Sequence, residues 1–298
     1  MTHSRGEYRA LIGRLRTVLA VLRRVSAACA MSFALVLPAF VSAADGVPTL
    51  VPGTTITFEI DLPNELRDFD RSGQRTSATR AQVAVAAPVD FDPDRQWPVL
   101  LISAGSEPGA NSSRRLLEHY KQAALLAGWV IVAADPSPAV AKWQDNVSLR
   151  FVLDLLAVEA LHAAWTHAGT APIAFAGLGG GARFAAVLSS MFASQHSVVI
   201  GVYQAGFDEE SFRNPAMQFQ VLLDDQFLRM PIYLHGGASD ASPSAARLHV
   251  VQQSLEDAGF KNIRLAFADG SNPADPDALR LALNWFGSMA RLVAWPNR

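Results

Sequence analysis

The chain has 298 residues, half of them hydrophobic, and carries a formal net charge of −2 at pH 7. This near-neutral balance, with no long basic run, excludes the electrostatic pattern of a nucleic-acid-binding protein. Cys29 is the only cysteine, so no disulfide framework can form within the chain. The seven histidines are scattered and lack the spacing of a metal site. We therefore predict that the protein uses no metal and no cofactor.

The first 43 residues have the layout of a secretory signal peptide. Several arginines precede an apolar run over residues 25–41, and the small residues that follow it resemble a cleavage site near Ala43. The run is shorter than the about 20 residues of a membrane span, and Pro38 interrupts it. We predict an exported protein, periplasmic or extracellular. An uncleaved anchor is the alternative, and only then would the protein contact a membrane.

Removal of this segment makes the remaining chain acidic. Residues 1–43 carry six arginines and one glutamate, so residues 44–298 keep 19 basic and 26 acidic residues, a net charge of −7. An acidic surface disfavours both nucleic acid and anionic membranes as partners. We predict that residues 44–298 form one domain, since about 255 residues suffice for one large hydrophobic core.

From residue 54 onward, strand patterns alternate with helix patterns. Predicted strands cover residues 54–62, 80–87, 98–103, 129–134, 173–176, 198–204, 231–235 and 262–268. Predicted helices cover residues 113–127, 149–167, a stretch from about 182, and residues 243–258 and 276–293. This alternation predicts an α/β protein with a mostly parallel sheet of about eight strands and helices on both faces.

A glycine-rich turn stands between the predicted strand at residues 173–176 and the helix after it. The turn reads Gly177-Leu178-Gly179-Gly180-Gly181. Its layout is that of the G-x-S-x-G nucleophile elbow, in which a sharp turn holds a serine above the sheet. The outer glycines are present, but Gly179 occupies the nucleophile position and has no side chain with which to attack a carbonyl.

The element order from residue 54 to the last helix, together with this turn, resembles the α/β-hydrolase superfamily. The segment over residues 87–100 (APVDFDPDRQWPVL) resembles the loop before the oxyanion strand in its secreted esterase and polyester-depolymerase-like branch. The resemblance implies the α/β-hydrolase fold. It also implies a Ser-His-Asp site for ester hydrolysis at the carboxyl edge of the sheet.

The resemblance assigns each part of that site to a position in this chain. The nucleophile falls on Gly179, the acid on Asp240, and the base on Ser271, where the family carries histidine. The oxyanion loop falls on Ala104-Gly105. Serine attacks an ester only because histidine removes its proton and aspartate orients that histidine. The nucleophile and the base are both missing here, at two independently located positions.

The oxyanion hole needs only backbone N–H groups. In this chain they would come from Ala104, Gly105 and Ser106 on one side and from Gly180 and Gly181 on the other. We therefore predict a pseudoenzyme that retains a relict pocket. Its partner would be a small carbonyl- or carboxylate-bearing ligand, or another protein.

Two other interpretations stay open. An active carboxyl-ester hydrolase would need displaced residues, with His235 as base and Ser103 or Ser106 as nucleophile. Yet a histidine before glycine at this strand end is frequently structural in the resembled family. Ser112 or Ser113 is expected to cap the helix that follows the loop. In the third interpretation the chain is an accessory partner of an active hydrolase.

Two further groups of residues receive structural interpretations. The tryptophans are spread along the chain, and we expect most of them to lie in the core. Residues 208–210 form an acidic cluster (DEE) after a predicted strand. We interpret this cluster as a solvated loop or the start of a helix, and not as a calcium site.

Overall fold

The computed structural model describes residues 47–62, 77–105, 111–140, 143, 147–222, 224–237, 245–268 and 274–292. The chain divides into two units, Met1–Asp45 and Gly46–Arg298, and every described residue belongs to the second. The predicted signal segment and the candidate residues Ser106, Asp240 and Ser271 lie outside the described residues.

Eight strands form one sheet in the described part of the chain. They are β1 Thr55–Asp61, β2 Arg80–Ala86, β3 Val99–Ser103, β4 Val130–Ser137, β5 Ile173–Leu178, β6 Val199–Ala205, β7 Ile232–Gly237 and β8 Ile263–Ala268. Their order across the sheet is β1-β2-β4-β3-β5-β6-β7-β8. β2 is antiparallel to both of its neighbours, and every other pairing is parallel.

Helices connect most of these strands. Within the described ranges they are α1 Ser113–Leu126, α2 Val147–Ala164, α3 Gly180–Ser194, α4 Arg213–Gln218, α5 Asp225–Leu228, α6 Ala245–Asp257 and α7 Pro276–Leu292. A short 3-10 helix, Thr166–Thr170, follows α2. No helix in these ranges is both long enough and apolar enough to cross a membrane.

The core lies on both faces of the sheet. On one face α1 and α7 share a buried cluster with β3, β5 and β6, built around residues such as Ile102, Tyr120, Ala176, Tyr203 and Phe286. On the other face α2 packs on β2 and β4, and α3 packs on β3, β5 and β6. Every residue of β3 is buried, as expected of a parallel strand covered on both sides. This strand order with two helical layers is the α/β-hydrolase fold, and the predicted fold class is confirmed.

Aromatic residues fix the loop that leads into β3. The Trp97 indole N–H donates to the Asp92 carbonyl at 2.9 Å, and the Trp165 indole N–H donates to the Pro93 carbonyl at 2.9 Å. The Phe91 ring lies between the two indoles, with its centroid 5.8 Å and 5.3 Å from theirs.

All five tryptophans in the described residues are buried, which confirms the prediction for them.

Three local features differ from the sequence-based expectations. β4 continues to Ser137 because its last residues pair with β2, a partnership that the local apolar run does not encode. The predicted helix over residues 149–167 ends at Ala164 and continues as a 3-10 helix. No predicted range covers the short helices α4 and α5, although residues 208–210 are interpreted from the sequence as a loop or the start of a helix. Each of the two helices begins at a carboxylate, from Glu210 or Asp224, that accepts backbone N–H groups of the first turn.

The tight contact between β6 and α7 gives a prediction. A Cβ atom on Gly201 would overlap the buried ring of Phe286, whereas a Cβ atom on Gly287 would meet nothing within 4 Å. Gly201→Ala should therefore lower the free energy of unfolding by about 1–3 kcal/mol, because overpacking displaces neighbouring side chains. The matched control Gly287→Ala lies inside a helix and should be neutral or stabilising by up to about 1 kcal/mol. Urea unfolding of both variants measures the difference, and equal stabilities would contradict the packing.

Candidate functional site

The turn between β5 and α3 has the backbone of a nucleophile elbow. Gly179 has φ 55° and ψ −122°, a combination that side-chain-bearing residues rarely adopt. Its N–H donates to the Ala205 carbonyl at 2.8 Å, and its own carbonyl accepts the Ala182 N–H at 2.9 Å. Gly179 is buried at the apex of the turn. The predicted strand, turn and helix are thus present, and the apex position offers only backbone.

The outer glycines of the motif are required by packing. A Cβ atom on Gly177 would overlap the backbone of Gly181 and Ala182, because α3 leaves the turn directly against β5. A Cβ atom on Gly181 would overlap the Ser103 carbonyl at the end of β3. These two close contacts account for the outer glycines of the motif without reference to a reaction.

The first residues after β3, Ala104 and Gly105, form a wall beside the elbow. Ser103 pairs with Gly177 in the parallel ladder, so the chain leaves β3 beside the elbow. The Ala104 N–H donates to the Ser113 hydroxyl at 3.0 Å, which ties this wall to the first turn of α1. Of the predicted binding residues, Ala104 lies at the same edge as Gly181, and Gly105 follows it in the chain. The Ala104 N–H, predicted as a donor to a ligand, is occupied by the Ser113 hydroxyl.

Ser103 points away from that edge into a buried polar pair. Its side chain is 2% exposed, and its hydroxyl donates to Asp154 of α2 at 2.6 Å. Burial raises the pKa of Asp154 to about 7, against the opposing effects of the Ser103 hydrogen bond and the nearby Arg150 charge. Neither Ser103 nor Asp154 is placed to meet a substrate from solution.

His235 lies on the opposite face of the sheet from Ser103. It is 1% exposed, its Nδ1 atom is 3.1 Å from the Tyr203 hydroxyl, and the two rings stack. Tyr203 belongs to the cluster under α1 and α7, whereas Ser103 contacts α2. Side chains on the two faces of a sheet cannot exchange a proton directly. The structure therefore does not bring together His235 and Ser103, the two described candidates for a displaced catalytic pair.

Asp240, Ser271 and Ser106 lie outside the described residues, so only the strand ends that precede them can be placed. β7 ends at Gly237 and β8 ends at Ala268. Both strands run parallel to β5. Their carboxyl ends therefore share the edge of the sheet where Gly179 lies, which is where a parallel α/β sheet places its ligands.

Arg150 of α2 is a buried residue at this edge that sequence reasoning missed. It is 6% exposed, and its Nη2 atom donates to the Ala104 carbonyl at 2.5 Å and the Gly180 carbonyl at 3.3 Å. Its guanidinium carbon lies 4.6 Å from the Phe184 ring centre. A signal was available in the sequence, because Arg150 and Asp154 stand four residues apart in the mostly apolar first half of this helix.

The start of α1 is held by a second buried carboxylate. Ser112 is the N-cap residue, as predicted, and its hydroxyl oxygen accepts the Arg115 N–H at 3.0 Å. Asp135, at the end of β4, accepts the Ser112 hydroxyl and the Ser113 N–H, the latter at 2.7 Å. Burial raises the pKa of Asp135, and these hydrogen bonds oppose the rise. The serines after the oxyanion loop thus have structural roles.

The acidic cluster after β6 is also structural. Glu210 accepts the N–H groups of Phe212 and Arg213 at the start of α4, and Asp208 pairs with Arg247 of α6 at 2.7 Å. Among the described residues, no group of three or more His, Cys, Asp or Glu side chains could hold a metal ion.

Comparisons with known proteins bear on the fold. No model of a protein family matches the sequence, and no curated protein matches it. Solved structures similar in fold include a fungal esterase from Rhizomucor miehei (12% identity, 84% of this chain and 86% of that chain, TM-score 0.49). A serine hydrolase homologue from Coxiella burnetii has 12% identity over 79% of this chain and 98% of that chain, with a TM-score of 0.49. An esterase from Pyrobaculum calidifontis has 14% identity over 81% and 87%, with a TM-score of 0.49. At these identities and TM-scores, the similarities carry no inference about activity.

The backbone at Gly179 gives a stability prediction. A serine at φ 55° would occupy a sparsely populated conformation, so Gly179→Ser should lower the free energy of unfolding by about 1–3 kcal/mol. Gly287→Ala again serves as the control, because it adds a side chain where there is space. Chemical denaturation compares the two variants. A Gly179→Ser protein as stable as the wild type would show that the elbow is unstrained.

The raised pKa of Asp154 gives a pH prediction. An unfolded aspartate has a pKa near 4, and Asp154 has one of about 7 in the folded protein. Over that interval only the folded state holds the proton, so the free energy of unfolding falls as pH rises and the loss is complete above pH 7. Between about pH 5 and 8 the wild type should therefore lose about 3 kcal/mol of stability that Asp154→Asn keeps.

Denaturant unfolding of both proteins at several pH values measures this difference. Burial also raises the pKa of Glu159 to about 7, but Glu159 is present in both proteins and its contribution cancels. Identical pH profiles would show that Asp154 is ionised in the folded protein throughout the range.

Proposed function

We propose that this protein is a non-catalytic binding protein built on the α/β-hydrolase fold. The observation that carries the proposal is Gly179 at the apex of an otherwise complete nucleophile elbow. Ester hydrolysis of the serine type begins with attack by an apex hydroxyl, which glycine lacks. The fold alone would have pointed to a hydrolase, but function depends on the groups at the site.

The placement of the substitute residues supports binding over displaced catalysis. Ser103 donates its hydroxyl to the buried Asp154, and His235 contacts Tyr203 on the other face of the sheet. A nucleophile and its base must lie within hydrogen-bond reach of one another and of the substrate. The described residues at the elbow edge include no such pair.

The chemistry of the edge favours a carbonyl- or carboxylate-bearing ligand. The first turn of α3 contains no acidic residue, and the positive end of a helix dipole favours negatively charged groups. Arg150 adds a buried cation within hydrogen-bond distance of the Ala104 and Gly180 carbonyls. We propose that the backbone N–H groups of Gly105, Gly180 and Gly181 hold the ligand oxygen, as an oxyanion hole would. The Ala104 N–H is not among these donors, because it is bonded to the Ser113 hydroxyl.

Hydrolysis of p-nitrophenyl butyrate tests the loss of catalysis. The wild type should show no rate above background, and so should Gly179→Ser alone, because a serine without its base is inert. The double variant Gly179→Ser/Ser271→His should exceed the wild type by at least about tenfold, since a restored serine–histidine pair recovers part of the triad's effect. Wild-type hydrolysis that His235→Ala abolishes would overturn the proposal in favour of a displaced active site.

We also propose that the protein is exported, on the basis of the basic, apolar and small-residue succession in its first 43 residues. Expression of the full chain followed by N-terminal sequencing of the periplasmic or secreted product tests this. Cleavage near Ala43 is expected. A protein that stays in the membrane fraction with residues 1–43 attached would show an anchor instead.

A further inference from the structure

A single atom of Arg150 bonds to both walls of the proposed pocket, which are residues 104–105 after β3 and the first turn of α3. β3 ends at Ser103 and β5 ends at Leu178. Beyond these residues the ladder no longer joins the two segments. Arg150 Nη2 donates to the carbonyls of Ala104 and Gly180, which lie one and two residues past the strand ends. The hydrogen bonds of Arg150 therefore join the two segments just beyond the last paired residues of β3 and β5.

The guanidinium group is itself held in place from several sides. The Phe184 ring of α3 lies under it, with the guanidinium carbon 4.6 Å from the ring centre. The carboxyl group of Asp154, one turn further along α2, interacts electrostatically with Arg150, and Ser103 of β3 orients it by a 2.6 Å hydrogen bond. Asp135 of β4 is the other charged group that influences Asp154. A buried cation with this support has little freedom to move, because leaving its partners would expose unpaired charge in the interior.

We propose that Arg150 is the positioning residue of the relict pocket. Its bonds to the Ala104 and Gly180 carbonyls set the separation between the oxyanion loop and the first turn of α3. The N–H groups of those same peptide segments would donate hydrogen bonds to a ligand. The separation of the two segments therefore sets the distance between these donors. The link to a ligand rests on the proposed function, whereas the link between the two walls does not.

Amide hydrogen exchange measures the positioning directly. The Ala104 N–H donates to Ser113 and the Gly179 N–H donates to Ala205, so exchange at these two amides reports opening of each wall. The Val202 N–H, which donates to Pro231 in the middle of the sheet, is the internal reference. The quantity to compare is the exchange rate of Ala104 and Gly179 relative to that of Val202.

Arg150→Met should raise this relative rate about tenfold or more, because it removes charge-assisted hydrogen bonds from both walls. Trp165→Phe is the matched control, since it removes a buried N–H bond to the Pro93 carbonyl away from the elbow. The control should leave the relative rate unchanged. An unchanged relative rate in Arg150→Met would overturn the proposal, and so would an equal rise in Trp165→Phe.

A second variant covers the case in which Arg150→Met does not fold. Arg150→Met/Asp154→Asn removes both charges, so no unpaired charge is left buried, and the asparagine can still accept the Ser103 hydroxyl. Relative to Asp154→Asn alone, the double variant should again show the faster exchange at Ala104 and Gly179. Equal relative rates in these two proteins would overturn the proposal.

Butyrate binding separates this inference from the proposed function. Calorimetry with wild type and Arg150→Met should show affinity in the wild type and a loss of about tenfold in the variant, since each 1.4 kcal/mol changes affinity tenfold. If the wild type binds no butyrate while the exchange result holds, the carboxylate ligand is wrong and Arg150 still positions the two walls. If butyrate binds equally to both proteins, Arg150 does not set the donor spacing.

Discussion

The structure around the elbow depends on two backbone contacts too close for any side chain. Gly177 meets the backbone of Gly181 and Ala182, and Gly181 meets the Ser103 carbonyl. With α3 held against β5 and β3 in this way, the chain must reverse sharply at residue 179, and it does so at φ 55°. The turn is therefore a consequence of packing. It persists although the nucleophile is absent, and glycine is the residue that occupies its conformation at least cost.

Buried polar side chains beneath the elbow add hydrogen bonds to the backbone around it. Arg150, Asp154 and Ser103 come from α2 and β3, and they stand where the sheet's own hydrogen bonds end. Asp135 acts comparably at the start of α1, where it accepts N–H groups that the helix cannot satisfy. Buried charges are tolerated only when they are paired and hydrogen-bonded. Their presence at this edge indicates that the backbone around the elbow is held in a defined position, which the proposed binding site requires as much as a catalytic one.

Much of the fold and part of the site could be predicted from the sequence. Strand and helix periodicity placed the eight strands, and the glycine spacing identified the elbow and its empty apex at Gly179. The cap of α1 was predicted as Ser112 or Ser113, because capping depends on local sequence, and the structure shows that it is Ser112. Arg150 stands four residues from Asp154, which marks a charged pair in the helix, but its contacts at the site are backbone carbonyls 46 and 30 residues away. Sequence patterns do not predict contacts of this kind. The separation of Ser103 from His235 depends on the register of β3, β6 and β7, and strand pairing across crossovers is a tertiary property.

The central claim is that no activated serine lies at the elbow. Incubation with a fluorophosphonate, followed by intact-protein mass spectrometry, tests it most directly, because an activated serine oxygen displaces fluoride and forms a stable phosphonate ester. The wild type should keep its unmodified mass, while Gly179→Ser/Ser271→His should gain one phosphonyl group on the serine at position 179. Stoichiometric labelling of the wild type, mapped by peptide sequencing to any serine, would contradict the account and identify the residue that performs the chemistry.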